Sequence, residues 1–363
     1  MFARLSLIAP RSFAGLLAGL ASLCLLTGLA QAGGAAPNDS EESAGSDSKP
    51  VVDGHERGRT TWVWVDPVKD LAPDAVASEH ISKLLYVNRC AGGCTIQKDV
   101  NDARNNTSSI PTNPTSVLSE FPYDQATWDA TIDCIKDVYS PYDVEIVTED
   151  PGMVFHHEAI LAGSPDQLGL ASNIGGIAPS SCSPLNNVIS FSFADSPSAE
   201  GGSPLAMCWT VAQESAHAFG LPNHVFNCLD PMTYLPGCGK KYFRNQSFPC
   251  GEFAAGPCNC SGATQNSHVE LRTVFGDGVA PPPPTVEILL PRANDQWVAP
   301  YTVFWDAQDP RLVSRSELWV NGTKHLEIPG HPYPQRADTY DVAAPDLPDG
   351  YQDIEIKAYN GLG

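Results

Sequence analysis

Between residues 187 and 194 apolar and polar side chains alternate, with Ile189, Phe191 and Phe193 on one side and Ser190 and Ser192 on the other. That period of two is the signature of a strand. Ile81 to Val87, Asp143 to Thr148 and His157 to Ala162 read as further strands. From Tyr123 to Tyr139 the period becomes helical, with Trp128, Ile132, Ile135 and Tyr139 on one face. It becomes helical again after Ser203, where Leu205, Cys208, Ala212, Ala216 and Phe219 form an apolar stripe. Ser203 suits the N-cap, Pro204 the first helical position and Gly220 the stop. Strand, helix, several strands, helix predicts an α+β domain over residues 59–278, long enough to enclose a core.

Pro281 to Pro284 make a stiff spacer within the linker 279–284. Beyond it the pattern is strand-like throughout: Thr285–Leu290, Tyr301–Trp305, Ser316–Val320, Asp338–Val342 and Tyr351–Tyr359, parted by turn signals such as Asn321-Gly322 and Asp349-Gly350. Residues 285–363 resemble a bacterial Ig-like β-sandwich, a module used as a spacer or adhesion unit. The stretch falls short of the ~100 residues of such a domain and stops just after a strand, so either a last strand is missing or the fold is a short variant.

At the amino end, Arg4 and Arg11 precede an apolar stretch from Ala14 to Leu29, and Ala30-Gln31-Ala32 fits the small-x-small rule. Residues 1–32 therefore read as a signal peptide; the apolar stretch is shorter than the ~20 residues that span a bilayer. Residues 33–58 are rich in Ser, Gly, Asp, Glu and Pro, the composition of a disordered acidic linker or pro-segment. Of eleven cysteines, Cys24 leaves with the leader. The others, Cys90, Cys94, Cys134, Cys182, Cys208, Cys228, Cys238, Cys250, Cys258 and Cys260, are even in number, as disulfides require, and all fall within residues 59–278. Close neighbours such as Cys90 with Cys94, and Cys228 with Cys238, are candidate pairs. The net charge of −21 argues against nucleic acid or an anionic membrane surface as partner. A secreted or extracytoplasmic monomer with no membrane span after processing is expected.

The chemistry concentrates in Gln213-Glu214-Ser215-Ala216-His217-Ala218-Phe219-Gly220-Leu221-Pro222-Asn223-His224, followed by Asp230-Pro231-Met232-Thr233-Tyr234. Gln213 and His217, four apart, share one face of a helix. Ligands at that spacing can hold one metal ion while the glutamate between them acts as general base. Glycine at 220 lets the chain turn and return His224 toward the same ion. This stretch resembles the metzincin zinc metallopeptidases, whose motif is H-E-x-x-H-x-x-G-x-x-H followed by a methionine turn. Glu214, His217 and Gly220 match in register, and Met232 with Tyr234 look like the methionine turn.

Two positions depart from the motif. Gln213 stands where the first histidine belongs, and His224 comes one residue late, after Asn223. The resemblance implies a secreted endopeptidase that hydrolyses peptide bonds by metal-activated water. Glu214 would be general base, Gln213, His217 and His224 would hold Zn2+, and a peptide or protein would be the substrate. Because a neutral amide is a poorer zinc ligand than imidazole, the alternative is a catalytically degenerate homologue acting as an extracellular binding or adhesion protein. His156 and His157 are adjacent and point to opposite faces of a strand, so they read as structural or surface residues.

Overall fold

The computed structural model describes residues 2–8, 59–76, 80–236, 238–297, 301–330, 339–340 and 350–362. In chain order its elements begin with β1 (Phe2–Ile8), β2 (Arg59–Trp64), α1 (Pro73–Val76), β3 (Leu84–Asn88), β4 (Cys94–Lys98), β5 (Thr107–Ser108) and β6 (Thr115–Leu118). Then come α2 (Gln125–Tyr139), β7 (Glu145–Val147), β8 (His157–Leu161), β9 (Ile174–Ser180), β10 (Ile189–Ser192) and α3 (Pro204–Ala218). The rest are β11 (Phe248–Pro249), β12 (Thr264–Gln265), α4 (Ser267–Phe275), β13 (Thr285–Leu290), β14 (Val303–Gln308), β15 (Val313–Val320), β16 (Thr323–Pro329), β17 (Thr339–Tyr340) and β18 (Tyr351–Asn360). The chain is thus mixed α+β, with several sheets. The readings of residues 33–58 as linker or pro-segment, and of 9–32 as the bulk of a leader, lie outside the described residues. Phe2–Ile8 pairs antiparallel with β18, Phe2 opposite Lys357 and Ile8 opposite Tyr351.

The largest sheet has the order β2-β9-β10-β8-β3-β7. Neighbouring strands pair in parallel except β9 with β10, so β2 and β9 run together, opposite to the other four. Both faces are covered, so β8 is buried at every residue, the pattern of a strand between two layers. On one face Ile160, Ile177, Ile189, Phe191 and Phe193 pack with Ile96, Ile110 and Leu118 around the small sheet β5-β4-β6. Over the other face lie α2 and α3, joined to the sheet through Leu85, Val87, Ala159, Leu161, Val211 and Phe219. The polar side of β10, Ser190 and Ser192, is as buried as its apolar side, because α3 packs across β8, β9 and β10 and small hydroxyl side chains leave room for the helix backbone.

Helix α2 starts at Asp124, whose side chain accepts from Thr127 N, and buries Trp128, Ile132, Ile135 and Tyr139. Helix α3 starts at Ser203, whose Oγ accepts from Ala206 N, with Pro204 in the first turn. Its stripe differs from the expected one at one end: Leu205 is 38% exposed while Cys208, Ala212, Ala216 and Phe219 are buried. Cys134–Cys208 bridges α2 to α3, and Cys90–Cys94, Cys182–Cys260, Cys228–Cys238 and Cys250–Cys258 complete five disulfides. Cys250, Cys258 and Cys260 are therefore bridge partners and not a thiolate metal cluster. Among the described residues no helix is long and apolar enough to cross a membrane.

Past the prolines, two sheets, β13-β14-β17 and β1-β18-β15-β16, enclose a separate core. Trp305, Val303, Leu318, Val320, Ile354 and Ile356 fill it. Arg311, buried between β14 and β15, ties this part to the first. Its guanidinium donates to Asp137 O (2.6 Å), Asp137 Oδ1 (2.8 Å) and Ser140 Oγ (3.1 Å) at the end of α2, and lies 4.1 Å over the Tyr242 ring.

Candidate metal centre

Helix α3 ends in a Schellman turn. Gly220 N donates to His217 O at 3.2 Å and Leu221 N to Ala216 O at 3.1 Å. Gly220 takes φ +95°, and a β-carbon there would stand 2.9 Å from Pro184 N, so both conformation and space require glycine. The turn has a chemical consequence: it brings the Leu221 carbonyl to 2.8 Å from His217 Nδ1. A carbonyl can only accept, so Nδ1 carries the proton and Nε2 presents its lone pair, the tautomer of a metal ligand.

Opposite that lone pair stands His224, with its Nε2 3.2 Å from His217 Nε2. Two nitrogens each 2.0–2.1 Å from a tetrahedral zinc lie about 3.3 Å apart, so the pair fits two corners of such a site. Asn223, at the family's usual position, is turned away: its Nδ2 donates to Asn259 O (2.8 Å) and Gln265 Oε1 (3.1 Å), and its Oδ1 accepts from Asn259 N (2.7 Å). His224 Nδ1 lies 3.8 Å from Glu252 Oε1, within ion-pair range but beyond a hydrogen bond. Burial lowers the pKa of both rings, His217 well below its ordinary value with help from the neighbouring His224, and His224 against the opposing pull of Glu252. Both are neutral at neutral pH, the state in which imidazole binds a metal.

Gln213 and Glu214 sit one turn back on α3, both buried, on the helix that carries His217. The Glu214 side chain lies against β9: a β-carbon at Gly176 would stand 2.7 Å from both its Cγ and its Oε1. Met232 is wholly buried, in the same core as Val211, Ala216, Phe219 and Val225. Asp230 shapes its loop by accepting from Met232 N (2.9 Å), Arg244 N (2.9 Å) and Ser267 Oγ (3.2 Å); burial raises its pKa to about 6 against those bonds. Cys228–Cys238 brackets the loop. Tyr234 leaves it to rest its ring 4.1 Å from that of His224.

His217 and His224 thus face each other, with Tyr234 against the His224 ring and Gln213 and Glu214 one turn back on the helix that carries His217. Among the described residues no group of three or more His, Cys, Asp and Glu side chains gathers into a metal site; the atoms brought face to face are the two imidazole Nε2. His156 and His157 are both buried, His156 beside Tyr86 and His157 edge-on to Phe219. Sequence reasoning missed Trp62, whose indole lies 5.3 Å from the His217 ring and 4.8 Å from the His224 ring. It also missed Glu252 and Gly176. Only Glu252 leaves a local trace, an acid inside a short loop closed by Cys250–Cys258. Neither a scan against protein-family models nor a search of curated protein sequences returns a match for this chain.

Proposed function

We propose that this chain is a secreted, zinc-dependent endopeptidase of the metzincin kind, followed by an Ig-like module. The observation that carries the reading is the His217–His224 pair, two neutral imidazoles with facing Nε2 atoms 3.2 Å apart at the end of the helix that bears Glu214. Zinc held by His217 and His224, with the Gln213 amide oxygen as third donor, would polarise a scissile carbonyl and make water nucleophilic at neutral pH. Glu214 takes the proton of the attacking water and returns it to the leaving amine. Leu221 O holds the His217 imidazole in orientation from behind, the Glu252 carboxylate lies 3.8 Å from His224 Nδ1, and Tyr234 packs on His224 from the side. The five disulfides suit an oxidising compartment and support export.

Gln213 favours a second reading, a non-catalytic extracellular binding protein that keeps the metzincin frame. The two diverge on metal. The peptidase reading expects about one zinc per chain by mass spectrometry of the purified protein, lost in His217→Ala. It also expects Glu214→Gln to keep the zinc and lose at least about 10²-fold in peptide cleavage. A wild-type chain that takes up no zinc on incubation, or undiminished cleavage by Glu214→Gln, would sink it.

A further inference from the structure

The sheet β1-β18-β15-β16 of the carboxy-terminal module has two flanks, and they are built differently. Along β16, Lys324, His325 and Glu327 are exposed, the ladder to β15 slips at Leu318/Trp319, and the strand ends at Pro329. Charges, a bulge and a proline are the usual guards of a free strand edge. Along β18 the ladder is regular. Residues 2–8 pair with it antiparallel at every position without a slip, and among the described residues β1 is the only strand on that side. Strand β18 alternates strictly. Gln352, Ile354, Ile356, Ala358 and Asn360 are buried, Ile354 and Ile356 within the module's core. On its other face Asp353, Glu355, Lys357 and Tyr359 are half-buried, with Lys357 Nζ 3.7 Å from the Trp319 ring centroid and 3.6 Å from Glu355 Oε2.

Residues 2–8 belong to the stretch that reads as a leader. Export with removal of residues 1–32 takes β1 away and opens the main-chain donors and acceptors along β18 to water. An open edge of this kind pairs with another extended strand. The register of β1 describes what fits. Ala3 stands opposite Ile356, Arg4 opposite Glu355 and Leu5 opposite Ile354: a cation between two apolar residues. Strand β18 itself contains that pattern, in Ile356-Lys357-Ala358.

We infer that the exported chain dimerises through β18, two copies pairing antiparallel about a two-fold axis at Ile356. In that register Ile356 faces its own counterpart, Ala358 faces Ile354, and Lys357 faces Glu355 at both symmetric places. Opposite charges directly across a ladder attract, and like charges repel. Sliding one copy by two residues sets Glu355 or Lys357 against itself. Sliding it by one sets the apolar face of one copy against the charged face of the other. One register is therefore selected. The interface is isologous and joins β16-β15-β18 of each copy into one continuous sheet. It departs from the monomer that the sequence suggests, and it rests on the exported reading for the removal of β1.

The protein is recovered from the medium of an exporting host, its amino terminus is sequenced, and its mass is read by sedimentation over a range of concentrations. A chain that begins after residue 32 should sediment with twice the mass of one chain. Lys357→Glu and Glu355→Lys should each weaken association at least about tenfold, because each sets like charges opposite one another at both symmetric places. An equimolar mixture of the two variants should restore it, since each copy then supplies the charge that the other needs. Should either variant fail to fold, the double exchange Glu355→Lys with Lys357→Glu in one chain rebuilds both pairs and should dimerise as the wild type does. A monomeric chain beginning at Gly33, or a dimer that neither single variant weakens, overturns the interface and leaves export standing. A recovered chain that still carries residues 2–8 overturns the leader reading, and the open edge with it.

Discussion

Residues 59–278 and 285–362 solve the same problem, a stable fold, by different means. The first region carries all five disulfides and sends long irregular segments through its interior. Between the end of α3 and β11 the described residues form no helix or strand, yet Val225, Asp230, Met232, Thr233 and Phe243 are all buried there. The second region has no disulfide among its described residues. Its strands put Val303 and Trp305, Leu318 and Val320, Ile354 and Ile356 inward at alternate positions, and its hydrogen bonding is mostly ladder. The difference teaches where cross-links are needed. A ladder fixes its own backbone, whereas a loop that must hold His224, Met232 and Tyr234 in place gets rigidity from covalent ties and from buried polar residues such as Asp230 and Asn223.

Reduction should break the comparison most plainly. Cys134–Cys208 closes a loop of 74 residues, for which chain entropy alone gives about 4 kcal/mol. With the shorter bridges also opened, residues 59–278 should unfold under reducing conditions while 285–362 keep their strands. Amide exchange read region by region checks this, and loss of protection in both regions together would contradict it.

Protonation should separate the regions next. Glu158 on β8 is wholly buried, its Oε1 accepting from Asn88 Nδ2 at 2.7 Å. Burial raises its pKa to about 7, the Asn88 bond opposing and Asp150 adding slightly. The folded chain therefore holds a proton that the unfolded chain gives up near pH 4.5. The stability linked to it is full below that pH and is lost as the pH rises through 7. Glu158→Gln should flatten that fall, amounting to about 3 kcal/mol between pH 4.5 and 8, in the first region's transition alone. Denaturant titrations across this range decide it; an unchanged slope would show that Glu158 ionises freely.

Zinc should then act on one region only. At a hundredfold excess over its dissociation constant a ligand adds about 2.7 kcal/mol, expected in the transition of 59–278 and absent in His217→Ala. The smallest effect belongs to the contact between the regions. Arg311→Ala removes three hydrogen bonds and the stacking on Tyr242, but Asp137 stays half-exposed to water. A loss of about 1–2 kcal/mol and a wider gap between the two calorimetric transitions are expected.

Where the sequence was informative, it was so through local rules. Ser203, Pro204 and Gly220 bound α3 because caps and stops act within a few residues, and the alternation of β10 is visible because its two faces differ in polarity. The same locality explains the misses. Strand β9, Ile-Gly-Gly-Ile-Ala-Pro-Ser, has weak strand formers and is extended because β10 and β2 flank it. Leu205 fits the stripe by spacing but lies at the helix's exposed entry. His224 is named from the sequence as the returning histidine, but where Asn223 goes instead, to Asn259 and Gln265, is a contact between distant segments. Trp62 reaches the centre from about 150 residues away in the chain, and no periodicity reports such a contact.

Gly176 turns this packing into a statement about descent. Any β-carbon at that position would compete with the Glu214 carboxylate for the same space, so the two positions are not free to drift independently. A lineage that still uses the acid is held to glycine at 176, whereas one that has abandoned it gains freedom there. Among sequences descended from a common ancestor with this chain, the identity of a residue thirty-eight places before the glutamate, with no polar atom of its own side chain, thus becomes a record of whether the glutamate is in use.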